Sequence, residues 1–154
     1  MSRKKIIKLH KDLLKIINKK KKLVAQTTES ANAISRAAAE SPSMSGDREH
    51  ASNSALLNLQ SLKQFEKLVS EIIEEKKDGL PEKVKPPCFA NLSFIDGGTK
   101  EFVVVNEANI LVPDYNIISI KSPIGKAILG KKLNSSFEFK ISENVFKGKI
   151  VDIN

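Results

Sequence analysis

The hydrophobic positions of this chain change their period once, and the change divides it in two. Residues 3–39 contain neither Gly nor Pro. Apolar or small side chains recur at Ile6, Leu9, Leu13, Ile16, Leu23, Thr27, Ser30, Ile34 and Ala37, with Lys20 filling one gap. Steps of three and four residues alternate, which is the spacing of a coiled-coil seam. The seam thins from Ile and Leu to Thr, Ser and Ala, so closer packing is expected at its far end. The stretch Ser41–Asp47 reads as a turn, because Pro42 and Gly46 both break helices. A second helical pattern then runs to about Lys77. Its seam is Leu62, Phe65, Val69 and Ile72, flanked by Ala55, Leu59, Leu68 and Ile73. Asp47 stands where an N-cap or first-turn carboxylate offsets unpaired amides. Two long helices joined by a short turn pack antiparallel. About 35 residues at 1.5 Å each predict an arm of roughly 50 Å.

Beyond residue 78 the period shortens. Asp78-Gly79-Leu80-Pro81 ends the second helix, and Lys85-Pro86-Pro87 completes a linker over 79–87. Short β-type runs follow at Cys88–Ile95, Lys100–Asn106 and Asn116–Lys121. Asp96-Gly97-Gly98 marks a turn between the first two. Pro123–Leu129 reads as one or two helical turns, with Pro near the start and Gly130 at the end. Phe137–Ile141 and Lys147–Ile153 form a closing hairpin. The fold class is therefore α+β, with an antiparallel helical hairpin at 1–78 (tip near 41–50). A small, mostly antiparallel sheet with one short helix follows at 88–154.

Composition narrows the chemistry. Aromatics are 5% of the 154 residues and Trp is absent, a poor supply for a thick core but enough for a narrow seam. Cys88 is the single cysteine and cannot form an internal disulfide, which fits a reducing compartment. Its simplest role is that of a small buried apolar side chain. No run approaches the roughly 20 apolar residues of a membrane span, and lysines interrupt the N-terminal apolar positions where a signal peptide needs continuity. A cytoplasmic location is expected, without a membrane partner or a small-molecule substrate. Residues 1–40 carry 11 Lys and Arg against 3 acids, so the whole net charge of +8 lies there. That asymmetry points to a polyanion or an acidic protein surface. The alternative is the solvated face of a lysine-rich helix, and the run Lys19–Lys22 fits that description. With no aromatic interleaved, base-specific reading is not expected there.

The segment Ser119-Ile120-Lys121-Ser122-Pro123-Ile124-Gly125-Lys126-Ala127-Ile128-Leu129-Gly130-Lys131 carries a more specific signal. It resembles the Ser-Pro…Gly-Lys segment of the Gre family of bacterial transcription elongation (transcript-cleavage) factors. Strand, Ser-Pro turn, helix and Gly-Lys follow in that family's order without a gap. The resemblance implies a coiled-coil hairpin followed by an FKBP-like domain. It further implies a partner, RNA polymerase core, docked through Ser122, Pro123 and Ile124. Gly46-Asp47 resembles the Gly-Asp pair of the Gre tip. In that family the tip enters the secondary channel, and its carboxylates help hold the second Mg²⁺ of the polymerase active centre. The implied role of Asp47 is therefore to assist a shared Mg²⁺, with no cofactor or metal site of the chain's own and with RNA near the basic helix.

The tip departs from the family's pattern. The second acid expected three residues after Asp47 is His50, and Asn53 is also uncharged. Glu49 is a substitute acid one residue early, about 100° around a helix from His50. It could take the role only if the helix began later than the pattern indicates. Neutral imidazole is a poor Mg²⁺ ligand. Occupation of the channel without cleavage is thus favoured over cleavage stimulated through Asp47. Two other readings stay open: an FKBP-type prolyl isomerase, with Phe89, Phe94, Phe102, Tyr115, Phe137, Phe139 and Phe146 as its aromatics, and non-specific nucleic-acid binding through the first helix.

Overall fold

The computed structural model describes the backbone of residues 3–40, 45–74, 79–107 and 110–154, and the side chains of these except at 35, 37–40, 45–48 and 74. Two helices, α1 (Lys4–Glu40) and α2 (Ser45–Glu74), precede the strands β1 (Cys88–Phe94), β2 (Gly98–Val105) and β3 (Ile117–Ser119). A short helix α3 (Pro123–Ile128) and the hairpin β4 (Ser136–Ile141) and β5 (Asn144–Ile153) complete the order. Compactness divides the chain into Asp12–Lys67 and a unit made of Met1–Lys11 with Leu68–Asn154. The sequence pattern, by contrast, places its boundaries at 78 and 87.

Within Asp12–Lys67, the buried residues of α1 are Leu13, Ile17 and Ala31, and those of α2 are Leu62 and Phe65. The second seam follows the sequence pattern, and the first shifts by one residue. Ile17 is buried where Ile16 was expected, Ala31 where Ser30 was expected, and Leu23 is 44% exposed. An α-helix turns every 3.6 residues, so a strict 3.5-residue seam drifts by about 20° per heptad unless the helices supercoil. Two consecutive four-residue steps, Leu9 to Leu13 to Ile17, correct the drift and move every later contact. The half-buried positions Lys20, Val24, Thr27 and Ile34 then complete the seam.

Lys20 is held by side-chain contacts rather than left over. Its Nζ donates to Ser61 Oγ at 3.0 Å and lies 5.0 Å from the centre of the Phe65 ring. Lys21 pairs with Glu66 at 3.4 Å. A lysine at a seam position selects one register, because only one alignment offers it a ring and a hydroxyl. Lys20→Ala is expected to cost about 1 kcal/mol of hairpin stability, from the lost hydrogen bond and cation–π contact. Lys19→Ala, at an exposed position, should cost close to nothing. Denaturation followed by helical circular dichroism compares the two; equal melting would refute the register role.

In the other unit the sheet order is β3-β2-β1-β5-β4. The pairings β1–β2, β1–β5 and β4–β5 are antiparallel, and β2–β3 is parallel across residues 106–116. The sheet is thus mixed, with antiparallel pairing dominant. The closing hairpin turns more tightly than its sequence suggests, since Ile141 already pairs with Asn144. Leu92, Val104, Ile128, Phe137 and Ile150 form the core with Val84, and Ile124, Ala127 and Phe139 pack against it. Val84 lies in the stretch read as linker. Lys83 bridges Lys132, and Val84 exchanges backbone hydrogen bonds with Gly130 and Lys131. Arg3 donates to the Pro87 carbonyl at 2.9 Å, and Lys5 pairs with Glu101. Cys88 is buried, and desolvation pushes its thiol up to about 11 against the smaller opposing effects of a backbone hydrogen bond and Arg3. A thiol so disposed stays protonated and inert.

Candidate functional site

The Ser122-Pro123-Ile124 corner is built by local rules. Ser122 has extended backbone (φ −70°, ψ 158°) and caps α3, with its Oγ accepting from Gly125 N–H at 3.1 Å. The same hydroxyl donates to the Ser119 carbonyl at 2.6 Å, tying the helix start to the end of β3. Pro123 occupies the first turn, where its missing N–H costs no helical bond. Pro123 is exposed, whereas Ile124 is half-buried and turned into the core. Of the three expected docking residues, Pro123 therefore presents the freest surface, with exposed Lys121, Lys126 and Leu129 in the same segment. Lys121 pairs with Glu107 at 2.7 Å.

The Gly-Lys end of the segment serves the fold as well. Gly130 has φ +74°, a left-handed value natural to glycine after a helix. Its N–H donates to the Val84 carbonyl at 2.8 Å, and Lys131 Nζ donates to the Ser136 carbonyl at 2.7 Å. Much of the signature in the sequence is thus capping and turn chemistry. Those requirements explain why the segment was legible.

At the other candidate site, α2 begins at Ser45, which puts position 47 in its first turn. The Asp47 side chain, and the turn residues 41–44, lie outside the described residues. Positions 47 and 50 are about 60° apart around the helix, while 47 and 49 are about 160° apart. The later helix start on which a Glu49 substitution depended is not observed. Glu49 and His50 are both exposed. By helix position, residue 50 shares the side of residue 47, and residue 49 lies on the other. Among the described residues no cluster of three metal-ligating side chains occurs.

The basic charge of α1 is ordered in a way that the composition conceals. Lys4, Lys8, Lys11, Lys15, Lys19 and Lys22 follow steps of four, three, four, four and three residues. At 100° per residue they fall within an arc of about 80° along roughly 27 Å of helix. All six are exposed, and among the described residues only Lys15 pairs with an acid, Asp12 at 3.8 Å. By contrast, the aromatic residues of the sheet unit pack largely on one another. Phe94 meets Phe102 and Phe137 edge-on, Phe139 stacks between Phe137 and Phe146, and Phe89 meets Tyr115 edge-on.

Residues 88–154 match the family described as "Transcription elongation factor, GreA/GreB, C-term". Among solved structures, the GreA factor homolog 1 (Gfh1) of Thermus thermophilus is similar at 20% identity and a TM-score of 0.41, over 94% of both chains. Gfh1 of Thermus aquaticus is similar at 19% identity and a TM-score of 0.42, over 88% of this chain and 92% of that one. The GreA/GreB elongation factor of Nitrosomonas europaea is similar at 19% identity and a TM-score of 0.41, over 58% of this chain and 78% of that one. No curated protein matches the chain.

Proposed function

We infer that this chain, a divergent member of the Gre family through its residues 88–154, is an elongation factor that binds RNA polymerase core and regulates elongation by placing its hairpin tip in the secondary channel. The observation that carries the reading is the family match over the whole sheet segment, including the strand, Ser-Pro corner, α3 and Gly-Lys turn in one frame. Docking is assigned to Ser122, Pro123 and Ile124, with Pro123 as the exposed contact. The factor is not itself an enzyme; any cleavage would be the polymerase's own chemistry.

At the tip, the proposal is occupation of the channel rather than stimulated cleavage. Supporting it is the single carboxylate on the Asp47 face, where His50 stands in the expected place of a second acid. Capture of purified RNA polymerase core by the full chain tests the docking. Pro123→Asp keeps a good first-turn residue for α3, so it should weaken capture by about tenfold, roughly 1.4 kcal/mol, without altering the melting temperature. Capture unaffected by Pro123→Asp would overturn the assigned surface. On a backtracked elongation complex the protein should leave the transcript uncut; cleavage that disappears in Asp47→Ala would replace occupation by active stimulation.

The lysine face of α1 favours a second reading, non-specific attraction to nucleic-acid phosphates. Its signature is binding that falls steeply with salt and does not depend on sequence. Charge reversal at Lys8 and Lys19 should abolish such binding while leaving polymerase capture intact.

A further inference from the structure

The sheet unit has an open groove on the outer side of β1, β5 and β4, distinct from the Ser-Pro corner. Its cavity is about 520 Å³, and its lining includes Ser93, Ile95, Ser136, Lys147, Lys149 and Val151. The strand register explains the grouping. Lys149 stands opposite Ser93 on β1 and Ser136 on β4, so one lysine is flanked by two hydroxyl-bearing residues across three strands. Gly148, the next residue along β5, belongs to the opposite, core-facing side, where a Cβ would fall 2.2 Å from the Ser93 carbonyl oxygen and 2.7 Å from Phe137 Cζ.

Two properties of this surface point to a partner. The first is charge. Lys131, Lys147 and Lys149 line it against the single acid Glu138, which pairs with Lys147 at 3.0 Å. Lys131 is committed to the Ser136 carbonyl, and Lys149 is exposed and forms no ion pair among the described residues, Glu138 being taken up by Lys147. The second is apolar exposure. Ile95, just past β1 and opposite Lys147, is 74% exposed, and Val151, four residues further along β5, is 44% exposed. A groove of this size accommodates a few side chains of a ligand. Positive charge beside an exposed branched aliphatic side chain suits a segment that pairs a carboxylate with a bulky apolar anchor.

We propose that this groove binds an acidic peptide segment of a partner protein, with a carboxylate on Lys149 and an aliphatic side chain against Ile95, which stands two residues from Ser93 on the same side of β1. A nucleic acid fits less well, because the two lining aromatics, Phe94 and Phe137, pack into the core on the opposite side of their strands and leave no ring beside Lys149 on which a base could stack. The proposal is independent of the polymerase reading; the groove would serve whichever partner carries such a segment.

The test uses the full chain, labelled with ¹⁵N, titrated with a ten-residue peptide of alternating glutamate and leucine. An equally long peptide with lysine in place of glutamate and a single-stranded oligonucleotide form the other arms. The acidic peptide is expected to shift the amides of Ser93, Ile95, Lys149 and Val151 saturably, and Lys149→Glu to weaken it at least tenfold. Ile95→Asp, which removes the anchor wall at an exposed site, should weaken it similarly, with the melting temperature of both variants near that of the parent. Shifts confined to the lysine face of α1, equal binding by Lys149→Glu, or equal occupancy of the groove by the lysine peptide or the oligonucleotide would each overturn the proposal.

Discussion

Gly125→Ala is expected to unfold the sheet unit at a temperature lower by roughly 10–20 °C, the equivalent of about 2–3 kcal/mol for a domain of this size. In most helices the change would help, because alanine is the better helix former by about 1 kcal/mol. Here a Cβ would lie 2.0 Å from the Ser119 carbonyl oxygen and 2.8 Å from Ile120 Cα. Both obstacles are backbone, so no rotamer change can relieve them. That oxygen also accepts from the Ser122 hydroxyl and the Ser122 N–H, at 2.6 and 3.0 Å. Moving α3 away would therefore break the cap as well as the packing of Ile124 and Ile128. Gly98→Ala supplies the control, since nothing lies within 4 Å of its added methyl. Tyr115, the single tyrosine in a chain without tryptophan, reports unfolding of this unit by fluorescence. Equal melting of the two variants would show that α3 and β3 do not approach as closely as described.

The second large effect lies in the core. Phe137→Ala should cost about 3–5 kcal/mol, the usual price of deleting a buried aromatic ring. Phe137 is 3% exposed, meets Phe94 edge-on at 5.5 Å and stacks on Phe139 at 6.1 Å. Its removal opens space beneath Gly148 without freeing that position. The Ser93 carbonyl oxygen, 2.2 Å from a Cβ at residue 148, would remain in the way. Gly148→Ala should therefore stay destabilising in the Phe137→Ala background, and the double variant should fail to fold at 37 °C. A rescue by the double variant would mean that the ring alone, and not the strand pairing, excludes a side chain at 148.

Gly125 separates the candidate docking corner from its scaffold. The Ser-Pro corner can be altered at Pro123 with little structural cost, because that ring faces solvent. The positions behind it cannot be altered, because β3 and α3 touch through Gly125. A loss of polymerase binding in a Gly125 variant would thus say nothing about docking, whereas the same loss in Pro123→Asp would.

The sequence by itself determined the elements, because each obeys a rule local to its own residues. Alternating steps of three and four marked α1 and α2, Ser122-Pro123 marked the start of α3, and Asp96-Gly97-Gly98 marked the β1–β2 turn. The Gre resemblance was legible for the same reason, since its Ser-Pro and Gly-Lys ends are a cap and a turn. Tertiary structure alone decided which side of a periodic pattern faces inward over a long helix, where a drift of 20° per heptad accumulates until Ile17 replaces Ile16. It alone drew Val84 into the core, because a two-residue pairing with Gly130 and Lys131 has no periodicity to detect. It alone assembled the groove of Ser93, Lys149 and Ser136, whose residues are scattered in sequence and meet only through strand register. Sequence carries what neighbours along the chain require of one another; contacts between distant residues are set by packing.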